Sequence, residues 1–211
     1  MLSFRDSSES LSKLDYLLAL LAGSSMALAF APIEWLPFAW LAPAVFFWLN
    51  LKAMPLKQRL RLAWVFGIGL FAGGAHWIYV SIHFFGGANT AIAVLMVTIF
   101  VVIMALFLMV FGWLASYTAS VSLAMRLLVA YPAIWVLTEW FRGWFLTGFP
   151  WLQLGTTQID TWLAHYAPVT GVLGVSWLVA LGAGALVLLV VGTSRDRIMA
   201  LSLAVVTVAC G

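Results

Sequence analysis

Two short stretches hold most of the side chains able to do chemistry. The first carries Gly73, Gly74, His76, Trp77, Tyr79, Ser81 and His83, followed by Phe84, Phe85, Gly86 and Gly87. The second carries Glu139, Arg142, Gly143 and Trp144, then Thr147, Gly148, Phe149, Pro150 and Trp151, and further on Gln153, Gln158, Asp160 and His165. Glu139 and Arg142 are three residues apart, so on a helix they are neighbours. They either close a salt bridge that fixes a helix end, or Arg142 offers its planar fork to a phosphate; both can hold at different times. His76 and His83 share one face of a continuous helix, but no third ligand lies nearby, so no metal site is expected. Gly148 permits unusual backbone angles and Pro150 fixes one. Residues 147–151 therefore make a structured loop, either functional or a re-entrant turn that touches no substrate.

What is missing narrows the chemistry further. No Gly-rich phosphate loop follows a strand, and no Ser-His-Asp or Cys-His set is recognisable. The single cysteine, Cys210, allows neither a disulfide nor a zinc cluster, and its apolar surroundings argue against a nucleophile. No complete catalytic constellation and no cofactor site is expected in these 211 residues.

The elements that must position those residues are set by composition. Hydrophobic residues make up 65% of the chain and charged residues 8%, against roughly 45–50% and about 25% in a soluble domain. Too few polar residues remain to build a wetted surface, so lipid must be the solvent for most of the exterior. The expected fold is all-α: a polytopic transmembrane bundle of about seven helices, each needing about 20 apolar residues. The spans fall at about 14–31, 36–51, 62–82, 90–117, 127–144, 167–191 and 198–211. The polar N-terminus lacks the basic-then-apolar layout of a cleaved signal peptide. Pro43 is expected to kink the second helix, and Gly67, Gly69, Gly73 and Gly74 to let the third approach its neighbours closely.

Alternate loops give the bundle a direction. With the N-terminus inside, Arg5, Lys13, Lys52, Lys57, Arg59, Arg61, Arg126, Arg195 and Arg197 lie inside and only Arg142 outside. That bias fits a cytoplasmic N-terminus and a far end on the other side. The net charge of +3 is then a topology signal, and nucleic acid is not an expected partner. The unusual residues crowd the outer rim. There the Trp and Tyr side chains, Trp77, Tyr79 and Trp151 among them, form either an interfacial belt or a platform for an acyl chain.

The stretches FGIGLFAGGAHWIYVSIHFFGGAN at 66–89 and TEWFRGWFLTGFPWLQLGTTQID at 138–160 resemble the apolipoprotein N-acyltransferases of Gram-negative bacteria. LAFAP at 28–32 and APVTGVLGVS at 167–176 fit as well, so the resemblance runs from about residue 14 to the end. It implies an enzyme of the bacterial inner membrane with eight transmembrane helices and a nitrilase-like periplasmic domain between the last two. That domain supplies a Glu-Lys-Cys catalytic set. The acyl chain moves from a phospholipid, through a cysteine thioester, to the N-terminal S-diacylglyceryl-cysteine of a lipoprotein. Neither that domain nor the eighth helix has a counterpart here, so these residues alone are expected to be inactive, and a monomer is favoured. The resemblance turns the outer-rim residues into candidate lipid contacts: Trp77, Tyr79, His83, Glu139, Arg142, Thr147, Gly148, Phe149, Pro150 and Trp151. A transporter fragment or a non-catalytic lipid-binding membrane protein is the competing reading. The crowding of polar residues at one rim and the lack of repeats weigh against a transporter.

Overall fold

The computed structural model describes residues 10–209; Arg5 and Cys210 lie outside them. All regular elements among the described residues are helical. α1 spans Lys13–Met26, α2 Pro37–Asn50, α3 Leu56–Gly74, and the short α4 Trp77–Val80, which continues as a π turn through Ser81–Phe85. α5 spans Thr90–Ala115, α6 Leu123–Met125, α7 Tyr131–Trp144, α8 Ala167–Val191 and α9 Ser194–Ala209. A π turn at Arg126–Ala130 joins α6 to α7.

By length and apolarity three stretches can cross a membrane: Thr90–Thr118, Leu123–Thr147 and Trp162–Val191. A fourth counts if α3 and the segment Trp77–Phe85 form one span bent by 51°. Where the sequence suggests an uninterrupted helix over 62–82, the chain breaks at Ala75–His76. Where it suggests a start near 127, the helical run begins at Leu123. The π turn explains the continuity. Pro132 has no N–H, and its ring would press on a carbonyl four residues back, so the turn before it widens. α8 also departs from one regular helix, because Gly171 takes φ 67° and ψ 179° inside it.

α3 is the central post. α1 lies on one side of it and α5 on the other. A Cβ on Gly69 would run into the Leu20 carbonyl and the Ser24 backbone of α1, and one on Gly23 into the Phe66 carbonyl of α3. Small residues let the two backbones touch, which is how helices gain contact where no hydrophobic effect separates protein from lipid. On the other side Gly67 packs against Ala105, and Gly112 against Ala63 and the Arg59 carbonyl. α8 fits between α2 and α7 in the same manner, Gly184 lying against the Leu127 carbonyl and Gly182 against Trp40.

Between these helices sits an aromatic core. Phe46 stacks on Phe66 with centroids 4.4 Å apart and tilts against Phe111 at 4.9 Å. Phe47 lies parallel to Phe111 at 5.6 Å, and Tyr131 meets both at 5.3 and 5.4 Å. Trp135 presents its edge to Phe46, Phe66 and Phe111. Such pairs add about 0.5–1.5 kcal/mol each beyond the area they bury.

The two ends of the bundle differ. At one end Asp15 caps α1 with Ser12 and pairs with Lys52 at 2.6 Å. Beside it the Arg59 guanidinium donates to the Asn50 and Lys52 carbonyls, and Tyr131 Oη donates to the Asn50 carbonyl at 3.0 Å. α2, α3 and α7 are thereby tied together where the positive charges collect. The other end carries the aromatic stretches. Gly69→Val should force α1 off α3 and cost on the order of 1–3 kcal/mol. Gly143→Ala, with nothing within 4 Å of the added carbon, should be neutral or stabilise by about 0.5–1 kcal/mol; thermal unfolding of both variants in detergent checks the contrast.

Candidate functional site

At the aromatic end α7 stops and the chain turns back on itself. Leu146, Thr147 and Gly148 take φ of 51°, 74° and 79° in succession, and Leu152 takes 59°. Left-handed backbone is uncommon outside glycine and costs of order 1–3 kcal/mol at each strained position. At Gly148 no other residue fits, because a Cβ would run into the Gly143 carbonyl. Something must hold such a turn in place.

Arg142 holds it. The side chain is 3% exposed. Its Nη1 donates to the Phe149 carbonyl at 2.7 Å and to the Trp151 carbonyl, and its Nη2 to the Leu152 carbonyl at 3.3 Å. The Arg142 carbonyl in turn receives the Phe149 N–H at 2.8 Å. The guanidinium lies 5.4 Å from the Phe71 ring centroid and 5.9 Å from that of Phe149, within cation–π range. Three backbone acceptors that would otherwise be unpaired are satisfied by one planar fork.

Glu139 holds the next stretch. It is 4% exposed, and its Oε1 accepts from Trp135 Nε1 at 2.8 Å and from the Leu154 N–H at 2.7 Å. Leu154 opens the 3-10 turn Leu154–Gln158, which docks on α8 where Gly155 N–H donates to Ser176 Oγ at 2.7 Å. Among the described residues Glu139 and Arg142 do not pair with each other. Each takes a different part of the same loop. The salt bridge suggested by their spacing is therefore not the one formed, and the Arg142 fork is occupied by carbonyls rather than open to a phosphate.

The clamp presents a row of rings. Phe149 packs on Phe100 at 4.9 Å and on Trp151 at 5.2 Å, and Trp151 reaches Trp77 at 6.2 Å. Behind this row opens a cavity of ≈ 750 Å³. Trp77, Pro150 and Trp151 line it from one side, and Phe30, Pro32 and Ile33, from the chain beyond α1, from the other. Thr147 and Gly148 form the turn that delivers these residues without lining the cavity. Tyr79 and His83 stack on each other at 5.2 Å. Tyr79 lines a separate groove of ≈ 370 Å³ between α3 and α5, with Ala72, Val97 and Val101. The sequence candidates thus divide into cavity wall, loop clamp and groove.

Sequence reasoning did not place the segment after α1 in the site. A signal was present, since LAFAP at 28–32 is one of the stretches that resemble the acyltransferases. The roles of Phe71 and Phe100 carried no signal, for each is one Phe in an apolar run. No group of three or more metal-binding side chains occurs among the described residues.

A family model described as the apolipoprotein N-acyltransferase N-terminal domain matches residues 22–185. This chain belongs to the apolipoprotein N-acyltransferase family. The apolipoprotein N-acyltransferase of Coxiella burnetii is 42% identical over 181 residues, 85% of this chain and 37% of that protein. Its namesake in Methylococcus capsulatus is 44% identical over 170 residues, 81% of this chain and 34% of that protein. That of Vibrio cholerae is 40% identical over 170 residues, again 81% of this chain and 34% of that protein. The chain spans about a third of the length of these relatives. The matched region holds both aromatic stretches, the Glu139–Arg142 clamp and the walls of the cavity.

The clamp makes separable predictions. Arg142→Lys keeps the charge but loses the fork, and should cost about 1.5–3 kcal/mol for each carbonyl bond it cannot replace. Glu139→Gln keeps an oxygen for Trp135 and Leu154 and should be far milder than Glu139→Ala. Unfolding midpoints in detergent, with limited proteolysis of the 145–153 turn, distinguish the three variants.

Proposed function

We propose that this chain is the membrane-embedded, lipid-admitting part of an acyltransferase. The reaction is transfer of an acyl chain from a phospholipid to the α-amino group of a lipoprotein's N-terminal S-diacylglyceryl-cysteine. The observation that carries this reading is the ≈ 750 Å³ cavity. Both stretches that resemble the acyltransferases meet there through Trp77 and Trp151, and its size suits one lipid chain or headgroup region. No residue of the chain is assigned to bond making or breaking. In the family that chemistry is implied for a nitrilase-like domain carrying a Glu-Lys-Cys set.

The orientation we infer puts the end with Asp15, Lys52, Arg59 and Arg126 in the cytoplasm and the cavity at the periplasmic face of the inner membrane. Seven spans satisfy it: α1, α2, α3 with its bent extension, α5, α6–α7, α8 and α9. Both substrates are lipids held in the outer leaflet, so they must enter sideways. The groove between α3 and α5, where Tyr79 lies, supplies a lateral route, with His83 stacked on Tyr79 at its rim. Trp77, Phe149, Pro150 and Trp151 offer flat apolar faces to the chain, while Glu139, Arg142, Thr147 and Gly148 keep those faces in place.

The test uses a complete acyltransferase containing these 211 residues. Trp77→Ala and Trp151→Ala should each lower kcat/KM at least tenfold with a phospholipid donor while leaving the unfolding midpoint within a few degrees. Acyl transfer at the parent rate in both variants would sink the proposal.

A further inference from the structure

Where α3 ends, a side chain takes one of its backbone carbonyls. In a continuous helix the Gly73 carbonyl would receive the Trp77 N–H, four residues on. Here it receives His76 Nδ1, at 2.7 Å. A carbonyl can only accept, so Nδ1 carries the hydrogen in this bond. The next two N–H groups reach back three residues instead of four, Ile78 to the Ala75 carbonyl at 3.1 Å and Tyr79 to the His76 carbonyl at 3.0 Å. One imidazole thus takes the carbonyl of one rung, the next rungs are shortened, and the axis turns by 51° across this break. A carbonyl freed from the ladder needs a partner, and this ring supplies it.

The same residue lies between the two apolar spaces. His76, with Gly73, Gly74 and Trp77, borders the ≈ 750 Å³ cavity. His76, with Ala72 and Tyr79, also borders the ≈ 370 Å³ groove between α3 and α5. Among the described residues no other borders both. The bend decides where the flanking rings go, since it brings Trp77 to Trp151 on one side and turns Tyr79 toward α5 on the other.

We infer that His76 is a positioning residue: its ring bond to Gly73 pins the α3–α4 bend, and the pinned bend is the partition between a membrane-facing acyl groove and the inner cavity. The pin stands on the geometry alone; the acyl occupancy of the two compartments rests on the proposed function. Loss of the ring donor lets the helix straighten by recovering the Trp77 N–H. Trp77 then swings off Trp151 and the two spaces merge. A short side chain with an N–H, such as asparagine, can reach the same carbonyl; phenylalanine keeps the bulk but has nothing to donate.

The experiment uses the full chain in lipid nanodiscs, with Cys210→Ser and spin labels on Val80→Cys and Ile159→Cys, both surface positions in the parent. Electron–electron dipolar spectroscopy should give one narrow distance distribution for the parent and for His76→Asn. His76→Phe should give a shifted or broadened one. If His76→Phe keeps the parent distribution, or His76→Asn moves as far as His76→Phe, the pin is overturned. A phosphatidylethanolamine with a photoreactive group on its acyl chain then tests the partition. It should label the 97–102 segment in the parent and, in His76→Phe, shift at least threefold toward the 150–159 segment. An unchanged labelling ratio in a variant whose distances have moved overturns the partition. Absence of labelling in the parent counts against the lipid-admitting reading itself, and the distance measurement still decides the pin.

Discussion

A backbone that leaves helical geometry near lipid must find partners for its carbonyls inside the protein, and at the aromatic end one guanidinium provides them. Arg142 gathers the carbonyls of Phe149, Trp151 and Leu152. Without that fork the chain after the left-handed turn at 146–148 would leave three acceptors unpaired, each costing about 1–3 kcal/mol when buried. The charge itself is tolerable because it is wrapped: carbonyl oxygens on one side, the faces of Phe71 and Phe149 on the other. Glu139 extends the arrangement by one strand of chain, linking the Leu154 N–H to Trp135 in the aromatic core. The carboxylate is therefore one of the links that join the rim to the core.

Much of this was legible in the residues. Apolar composition dictated an all-helical chain, and the contrast between a basic end and an aromatic end is visible in the spacing of Lys and Arg alone. The two candidate stretches do meet, through Trp77 and Trp151. Three features were not legible in spacing, hydropathy or composition, each for a physical reason. The spacing of Glu139 and Arg142 suggests a mutual pair, because helix periodicity places them together; it is silent about a loop that folds back and outcompetes each for the other. Hydropathy over 66–82 is uninterrupted, because Gly, Ala and Trp are all acceptable to lipid. It cannot register that the His76 ring takes the Gly73 carbonyl. The segment after α1 was invisible to composition because its part in the cavity depends on how closely Gly23 and Gly69 let α1 approach α3.

The division of labour among the candidate residues follows from burial. Exposed rings such as Trp77 and Trp151 can meet a lipid. Buried charged groups such as Glu139 and Arg142 cannot do so without releasing the loop they hold. A substitution at the first kind of position removes a surface, and one at the second moves it.

The knot at the opposite end has a mechanical consequence. Arg59 of α3 and Tyr131 of α7 both bond the carbonyl of Asn50, the last residue of α2. Three helices are thus joined at one point, like the legs of a tripod, and any tilt has its fulcrum there. α3 is 19 residues long, or about 28 Å at 1.5 Å per residue, so a tilt of ~5° displaces its far end by roughly 2.5 Å. The lever arm runs from the pivot at the basic end to the aromatic rim, and small rotations that leave the core almost undisturbed are amplified at that rim.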